Sequence, residues 1–263
     1  MNAKSIRAAL RELPLGGLRF YQTVDSTSDV ALAWAAEGAR DLSLAAADRQ
    51  TRGRGRGVRP WLTPPGCALA FSLVLRPGPV ERDIIPLYSA LGALAVAQTL
   101  EGIGLAPQIK WPNDVLLDRR KVCGILAESV WLGEKVDSVV LGIGVNVGPR
   151  SVPPPEALDF PAACLESAAG RTLDRPALLA GILSALLEWR PRLGTDAFLQ
   201  AWEARLAFRG ETVEVWAEGM PARAGQVLGL ERDGGLRLLG EGGKSFAVRF
   251  GEVHLRPVLQ STA

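Results

Sequence analysis

Four strand-length segments follow one another between residues 108 and 147 with only turns between them. Gln108–Trp111, Val115–Leu117, Val122–Val130 and Ser138–Val147 have strand composition, while Asp118-Arg119-Arg120-Lys121 and Leu132-Gly133-Glu134-Lys135 read as hairpin turns. A run of strands without helices predicts an antiparallel or mixed sheet rather than a repeated βαβ fold. Upstream, Leu18–Thr23 and Leu42–Ala47 are further strands. They flank a helix through Ala31, Leu32, Trp34 and Ala35, with N-cap oxygens available from Asp25-Ser26-Thr27-Ser28. Ala68–Leu75 is another apolar strand, and Pro86–Glu101 predicts a helix with its proline in the first turn.

Past residue 147 the texture changes twice. Pro149–Pro161, with consecutive prolines at 153–155, reads as an extended loop. Leu178, Leu179, Ile182, Leu183, Leu186 and Leu187 then follow helical spacing, and a second helix is expected over Asp196–Leu206. After Arg209-Gly210 come short β-rich runs at Thr212–Trp216, Arg223–Leu230, Leu236–Leu239 and Phe246–Phe250. The turn pairs Glu218-Gly219, Asp233-Gly234 and Gly242-Gly243 separate them. The expectation is an α+β domain over residues 1–206 with a small barrel over 207–263.

Composition narrows the function classes. A net charge of +2 over 263 residues is too small for a protein that coats nucleic acid. The basic character is local, with five arginines between Arg49 and Arg59. Cys67, Cys123 and Cys164 are odd in number and form no CxxC pattern, so neither a zinc site nor a disulfide framework is indicated. They read as small buried hydrophobes in a reducing, cytoplasmic compartment. His254 is the single histidine, which excludes histidine-dependent triads and two-histidine metal sites. Residues 1–17 carry Lys4, Arg7, Arg11 and Glu12 without an apolar targeting core. The apolar stretch Ile84–Leu100 is interrupted and too short to span a bilayer, so a buried core helix fits it.

Three clusters carry candidate chemistry. Arg52-Gly53-Arg54-Gly55-Arg56-Gly57-Val58-Arg59-Pro60-Trp61 alternates a planar cation with a residue that lets backbone approach a ligand. By itself this fits an RGG-like nucleic-acid segment, a structured anion loop or a solvated basic turn; its single occurrence and its Pro60-Trp61 ending favour the structured loop. Lys110-Trp111-Pro112-Asn113-Asp114 places a lysine, an amide and a carboxylate within five residues. It fits equally a lysine that neutralises phosphoryl charge and a β-turn with an exposed lysine. Gly142-Ile143-Gly144-Val145-Asn146 lacks the third glycine and following helix of a dinucleotide fingerprint, and no Walker motif is present. Glycines inside this apolar strand predict that something packs closely on its backbone.

In order and separation these clusters resemble biotin–protein ligases. The resemblance rests on Gly53-Arg54-Gly55-Arg56, Arg59 and Trp61; Lys110–Asp114; Lys121, Gly124, Ile125, Leu126 and Glu128; and Gly142, Gly144 and Asn146. Asp25–Ser28, Gln50 and the closing Gly251–Arg256 extend it to roughly residues 18–257. Val58, Ser28 and His254 depart from the family's glycine, asparagine and serine. The resemblance implies a class II aminoacyl-tRNA-synthetase-like catalytic domain with a mixed, largely antiparallel sheet and a C-terminal SH3-like β-barrel. It implies formation of biotinyl-5′-AMP from biotin and ATP, with Mg²⁺, and transfer of biotin to a lysine of a biotin carboxyl carrier domain. By the same resemblance Lys110, Arg56 and Arg54 are catalytic. Ser26, Thr27, Ser28, Gln50, Arg54, Gly55, Arg56, Lys110, Gly124 and Gly142 would hold biotin, and Arg56, Arg59, Trp61, Asn113, Lys121 and Asn146 the nucleotide. The 149–161 segment would fold over adenine. A homodimer is compatible with the family. DNA binding is not expected, since only about 17 residues precede the first strand, too few for a helix-turn-helix domain. Transfer of lipoate and binding of biotin without turnover are the competing readings.

Overall fold

Small residues decide how the central sheet is covered. The computed structural model describes residues 1–57, 59–217, 221–249 and 253–257. Val58, the Glu218-Gly219 turn, Gly251-Glu252 and the His254 side chain lie outside the described residues.

After a short helix α1 (Ala3–Ala9), strand β1 (Gly17–Val24) leads through helix α2 (Thr27–Ala36) into β2 (Ser43–Gln50). This crossover makes β1 and β2 parallel. Strands β3 (Ala68–Leu75), β4 (Gln108–Lys110), β5 (Asp114–Leu117), β6 (Arg120–Leu132) and β7 (Lys135–Asn146) complete a seven-stranded sheet in the order β1-β2-β3-β7-β6-β5-β4. All its other pairings are antiparallel. The mixed sheet expected from the uninterrupted strand run is therefore present. Asp118 and Arg119 both take positive φ, which makes the tight β5–β6 hairpin.

Helix α3 (Tyr88–Gly102) begins later than the sequence predicts. Val80–Leu87 is a 3₁₀ stretch with non-helical dihedrals at Ile84, and Pro86 within it supplies no N–H for a regular helix. Residues 90–97 of α3 are all buried against the sheet and against α5 (Arg175–Trp189), so the apolar run is core. Each fully buried large side chain there, Leu91 and Phe71 among them, contributes about 1.5–3 kcal/mol. The short helices α4 (Leu165–Ala169) and α6 (Asp196–Glu203) follow the sheet. Pro149–Ser151 and Pro155–Ala157 form 3₁₀ turns inside the segment expected to be extended.

A second antiparallel sheet contains β8 (Thr212–Ala217), β9 (Arg223–Leu230), β10 (Leu236–Leu239), β11 (Ser245–Val248) and β12 (Val253–Pro257), in the order β11-β10-β9-β8-β12. The backbone of Ala207 donates to Ile109 O at 2.9 Å and Trp111 Nε1 to Gly234 O at 3.0 Å, which fastens this sheet beside β4.

The opposite face of the large sheet is covered unevenly. Helix α2 lays Ala31 and Ala35 on Ala45, Val74 and Val140. Alternate residues of a strand share a face. From Val140 the same row runs on through Gly142 and Gly144 to Asn146, paired by Ser72 and Ala70 on one side and Leu126 and Gly124 on the other. Arg190 locks the far end of the molecule. It donates to both oxygens of Asp41, to Glu81 and to the Arg76 carbonyl. Arg190→Ala strands two carboxylates in a partly buried network, so chemical denaturation should reveal a loss of about 3 kcal/mol.

Candidate active site

The glycine end of this row is the floor of the candidate site. A Cβ at Gly144 would lie 2.3 Å from the Trp61 indole, and one at Gly124 would lie 3.2 Å from the same ring. At Gly142 it would meet Ser28 Oγ at 2.7 Å. The expectation that something packs tightly on this backbone is met by Trp61 and Ser28. Trp61 Nε1 is buried without a hydrogen-bond partner among the described residues.

Neutral hydrogen-bonding groups gather at the Gly142 end. Ser26 caps α2 by accepting from Asp29 N, which brings Thr27 and Ser28 into its first turn. Thr27 N and Oγ1 both donate to Gln50 Oε1, at 2.8 and 3.1 Å, and Gln50 Nε2 donates to Thr63 Oγ1. Ser72 Oγ lies 2.9 Å from Thr27 Oγ1 and 3.2 Å from Ser28 Oγ.

Cations gather at the Gly124 end. Asp114 lies between Lys121 Nζ at 2.6 Å and Lys110 Nζ at 3.4 Å. Burial pushes the Asp114 carboxyl up, but Lys121 and Lys110 outweigh it and hold it below the usual carboxylate range. Burial, aided by Lys121 and Arg59 and opposed by Asp114, draws the Lys110 ammonium below its ordinary value. Asn113 Nδ2 donates to Ile125 O at 2.6 Å, and Arg56 Nη1 donates to Asn113 Oδ1 at 3.4 Å.

The arginine-glycine loop folds as a small hairpin. Trp61 N donates to Gly53 O and Gly55 N to Arg59 O, each at 2.8 Å. Arg52 pairs with Asp25, Arg54 with Asp29 and Glu128, and Arg59 with Asp159 at 3.3 Å. Arg54, expected to act as a ligand cation, thus directs its guanidinium to two protein carboxylates. The 149–163 segment crosses the cation end. Lys121 N donates to Pro161 O, Asn146 Nδ2 donates to Ala163 O, and the Phe160 ring centre is 4.6 Å from Lys110 Nζ. Beside it a cavity of 290 Å³ is lined by Leu117, Val152, Ala163 and Ser167 among others. A hollow of 300 Å³ lined by Glu203, Arg209 and Arg232 lies elsewhere and holds none of the motif residues.

Sequence reasoning brought most of these residues forward and overlooked Ser72, Phe160 and Thr63. Ser72 had a signal, as the one hydroxyl in the apolar run Ala68–Leu75. Phe160 had none, because its importance depends on where a proline-rich segment crosses. Gly144→Ala should force Trp61 off the sheet and lower the melting temperature. In a Trp61→Ala background the same change should cost almost nothing, and equal losses in both backgrounds would refute the contact.

The model of the biotin/lipoate A/B protein ligase family matches residues 20–146. The chain is 36% identical over 228 residues to a biotin–[acetyl-CoA-carboxylase] ligase of Paracoccus denitrificans, covering 84% of this chain and 93% of that protein. It is 37% identical over 186 residues to a bifunctional ligase/repressor of Bacillus spizizenii, covering 70% of this chain and 57% of that protein. The chain therefore spans little more than half the length of that relative. Among solved structures it resembles a biotin protein ligase from Aquifex aeolicus in complex with biotin and ATP, with a TM-score of 0.79 and 32% identity over 92% of this chain and 99% of that one.

Proposed function

Since this chain belongs to the biotin–protein ligase family, we propose that it forms biotinyl-5′-AMP from biotin and ATP and passes biotin to a carrier-domain lysine. The observation that carries this reading is the polarity of the glycine floor. Neutral hydroxyls and an amide lie at its Gly142 end, and the Lys110–Lys121 cation cluster lies at its Gly124 end. That polarity suits an acid with an uncharged hydrogen-bonding head and a carboxylate tail. Thr27, Ser28, Ser72 and Gln50 bind the ureido ring, with Ser26 placing two of them by capping α2. The flat Gly142 and Gly144 backbone and the Trp61 ring confine the apolar middle.

In the first step a biotin carboxylate oxygen attacks the α-phosphorus of ATP, and the bond to the β-phosphate oxygen breaks to release pyrophosphate. Two anions must meet, so Lys110 and Arg56 offset their repulsion. Positioning and electrostatics supply most of the rate in such transfers. Gly55 lets the hairpin backbone close on the ligand, while Arg59, Asn113, Lys121 and Asn146 border the nucleotide. The adenosine runs toward the 290 Å³ cavity, under the 149–161 segment, which keeps water from the mixed anhydride. In the second step the acceptor amine attacks the acyl carbon, AMP leaves, and the amine proton passes to solvent.

Mg²⁺ enters as the counter-ion of ATP. Among the described residues no group of three His, Cys, Asp or Glu side chains could hold a metal, and the Asp114 carboxylate is already shared by two lysines. The acceptor is a lysine of a biotin carboxyl carrier domain, the cell compartment is the cytoplasm, and the small β-rich unit begins at residue 207.

Incubation with ATP, a carrier domain and either biotin or lipoate tests the reading by the mass added to the acceptor. Transfer of lipoate alone, or no pyrophosphate release, would refute it. Lys110→Ala should reduce adenylation at least about 100-fold with the fold intact. Because the Lys110 ammonium titrates below its ordinary 10.5, wild-type kcat/KM should fall as pH rises, with a limb below that value. The Lys110→Ala profile should lack that limb. Arg56→Gly should release adenylate faster than the parent; equal retention would remove its role.

A further inference from the structure

Arg54 is held by two carboxylates from two different elements. Its two terminal nitrogens each donate to Glu128 on β6 at 2.8 Å, and its Nε lies 2.9 Å from Asp29 in the first turn of α2. Such two-pronged, charge-assisted contacts are strong and fix geometry. The Arg54–Glu128 pair is the more buried contact, at 35% and 25% side-chain exposure, whereas the Arg52–Asp25 and Arg59–Asp159 pairs have at least half of each side chain exposed. Arg54 also forms a backbone bridge with Pro60, so it joins both limbs of the hairpin.

The anchor points are informative. Glu128 stands in the same alternating row of β6 as Gly124, on the face that carries the floor. Asp29 shares its helical turn with Thr27 and Ser28. One side chain therefore ties the hairpin both to β6, where Glu128 pairs with Val140 one step past the Leu126–Gly142 pair, and to the first turn of α2 beside the hydroxyls. Building on the ligase reading above, we propose that Glu128 and Asp29 are positioning residues that act through Arg54. They hold the hairpin over the glycine floor, and Arg54 serves as the strut between them instead of as a cation for the ligand.

Hydrogen exchange of the ligand-free full chain reads closure without turnover. The amides of Gly55, Arg59 and Trp61, bonded within the hairpin, are the reporters. Glu128→Gln should speed their exchange about tenfold, as expected for loss of a charge-assisted contact, with β6 and β7 amides unchanged. With biotinyl-5′-AMP bound, Glu128→Gln and Arg54→Ala should each speed its release by about tenfold, and the double variant should release it no faster than Arg54→Ala alone. Unchanged hairpin exchange in Glu128→Gln would overturn the proposal. So would release rates that multiply in the double variant, which would put Arg54 on the ligand itself. A chain that makes no adenylate from biotin and ATP would defeat only the ligase reading, because the exchange measurement needs no turnover.

Discussion

The site depends on missing side chains at three positions of two central strands. Gly144 pairs directly with Gly124 across β6 and β7, and Gly142 follows two residues away in the same row. Any Cβ at Gly144 would enter the Trp61 ring, and one at Gly142 would displace Ser28. The bare backbone lets an indole and a helix N-terminus approach the sheet closely enough to make a shallow, polarised trough. Without it the hydroxyl cluster and the lysine cluster would remain as separate surface features. Helix α2 contributes at both ends, since its alanines cover Val74 and Val140 and its Ser28 seats on Gly142, while Trp61 covers Gly144.

Charge is arranged around this floor with a division of labour. Acidic groups in the neighbourhood are largely matched to arginines and lysines that position the hairpin or each other, as with Glu128, Asp29 and Asp114. At Asp114 burial opposes the carboxylate charge and its two ammonium partners outweigh that burial. The same burial draws the Lys110 ammonium below its ordinary value, opposed by Asp114.

Much of this was legible in the sequence. The strand run from residue 108 to 147 announced a largely antiparallel sheet, because side-chain alternation and turn chemistry are local properties. The alternating arginines and glycines, the lysine–asparagine–aspartate cluster and the twin glycines announced a ligand site, because those residue types are unusual where they stand. The start of α3 was misplaced by two residues since Pro86 breaks regular helix geometry ahead of Tyr88. Partners were not legible. Nothing local distinguishes Arg54, bound to Glu128 and Asp29, from Arg56, which reaches Asn113.

The sequence by itself determined the fold class, the clusters that make up the candidate site and the family they resemble, since these follow from periodicity and residue type. Only the tertiary structure decided which groups seat on the glycine backbone, which hydroxyl joins Thr27 and Ser28, and which arginine is spent on protein carboxylates. The physical reason is sequence distance. Arg54 and Glu128 are 74 residues apart and Thr27 and Ser72 are 45 apart, and only the packing of the hairpin and of α2 on the sheet brings either pair to hydrogen-bonding range.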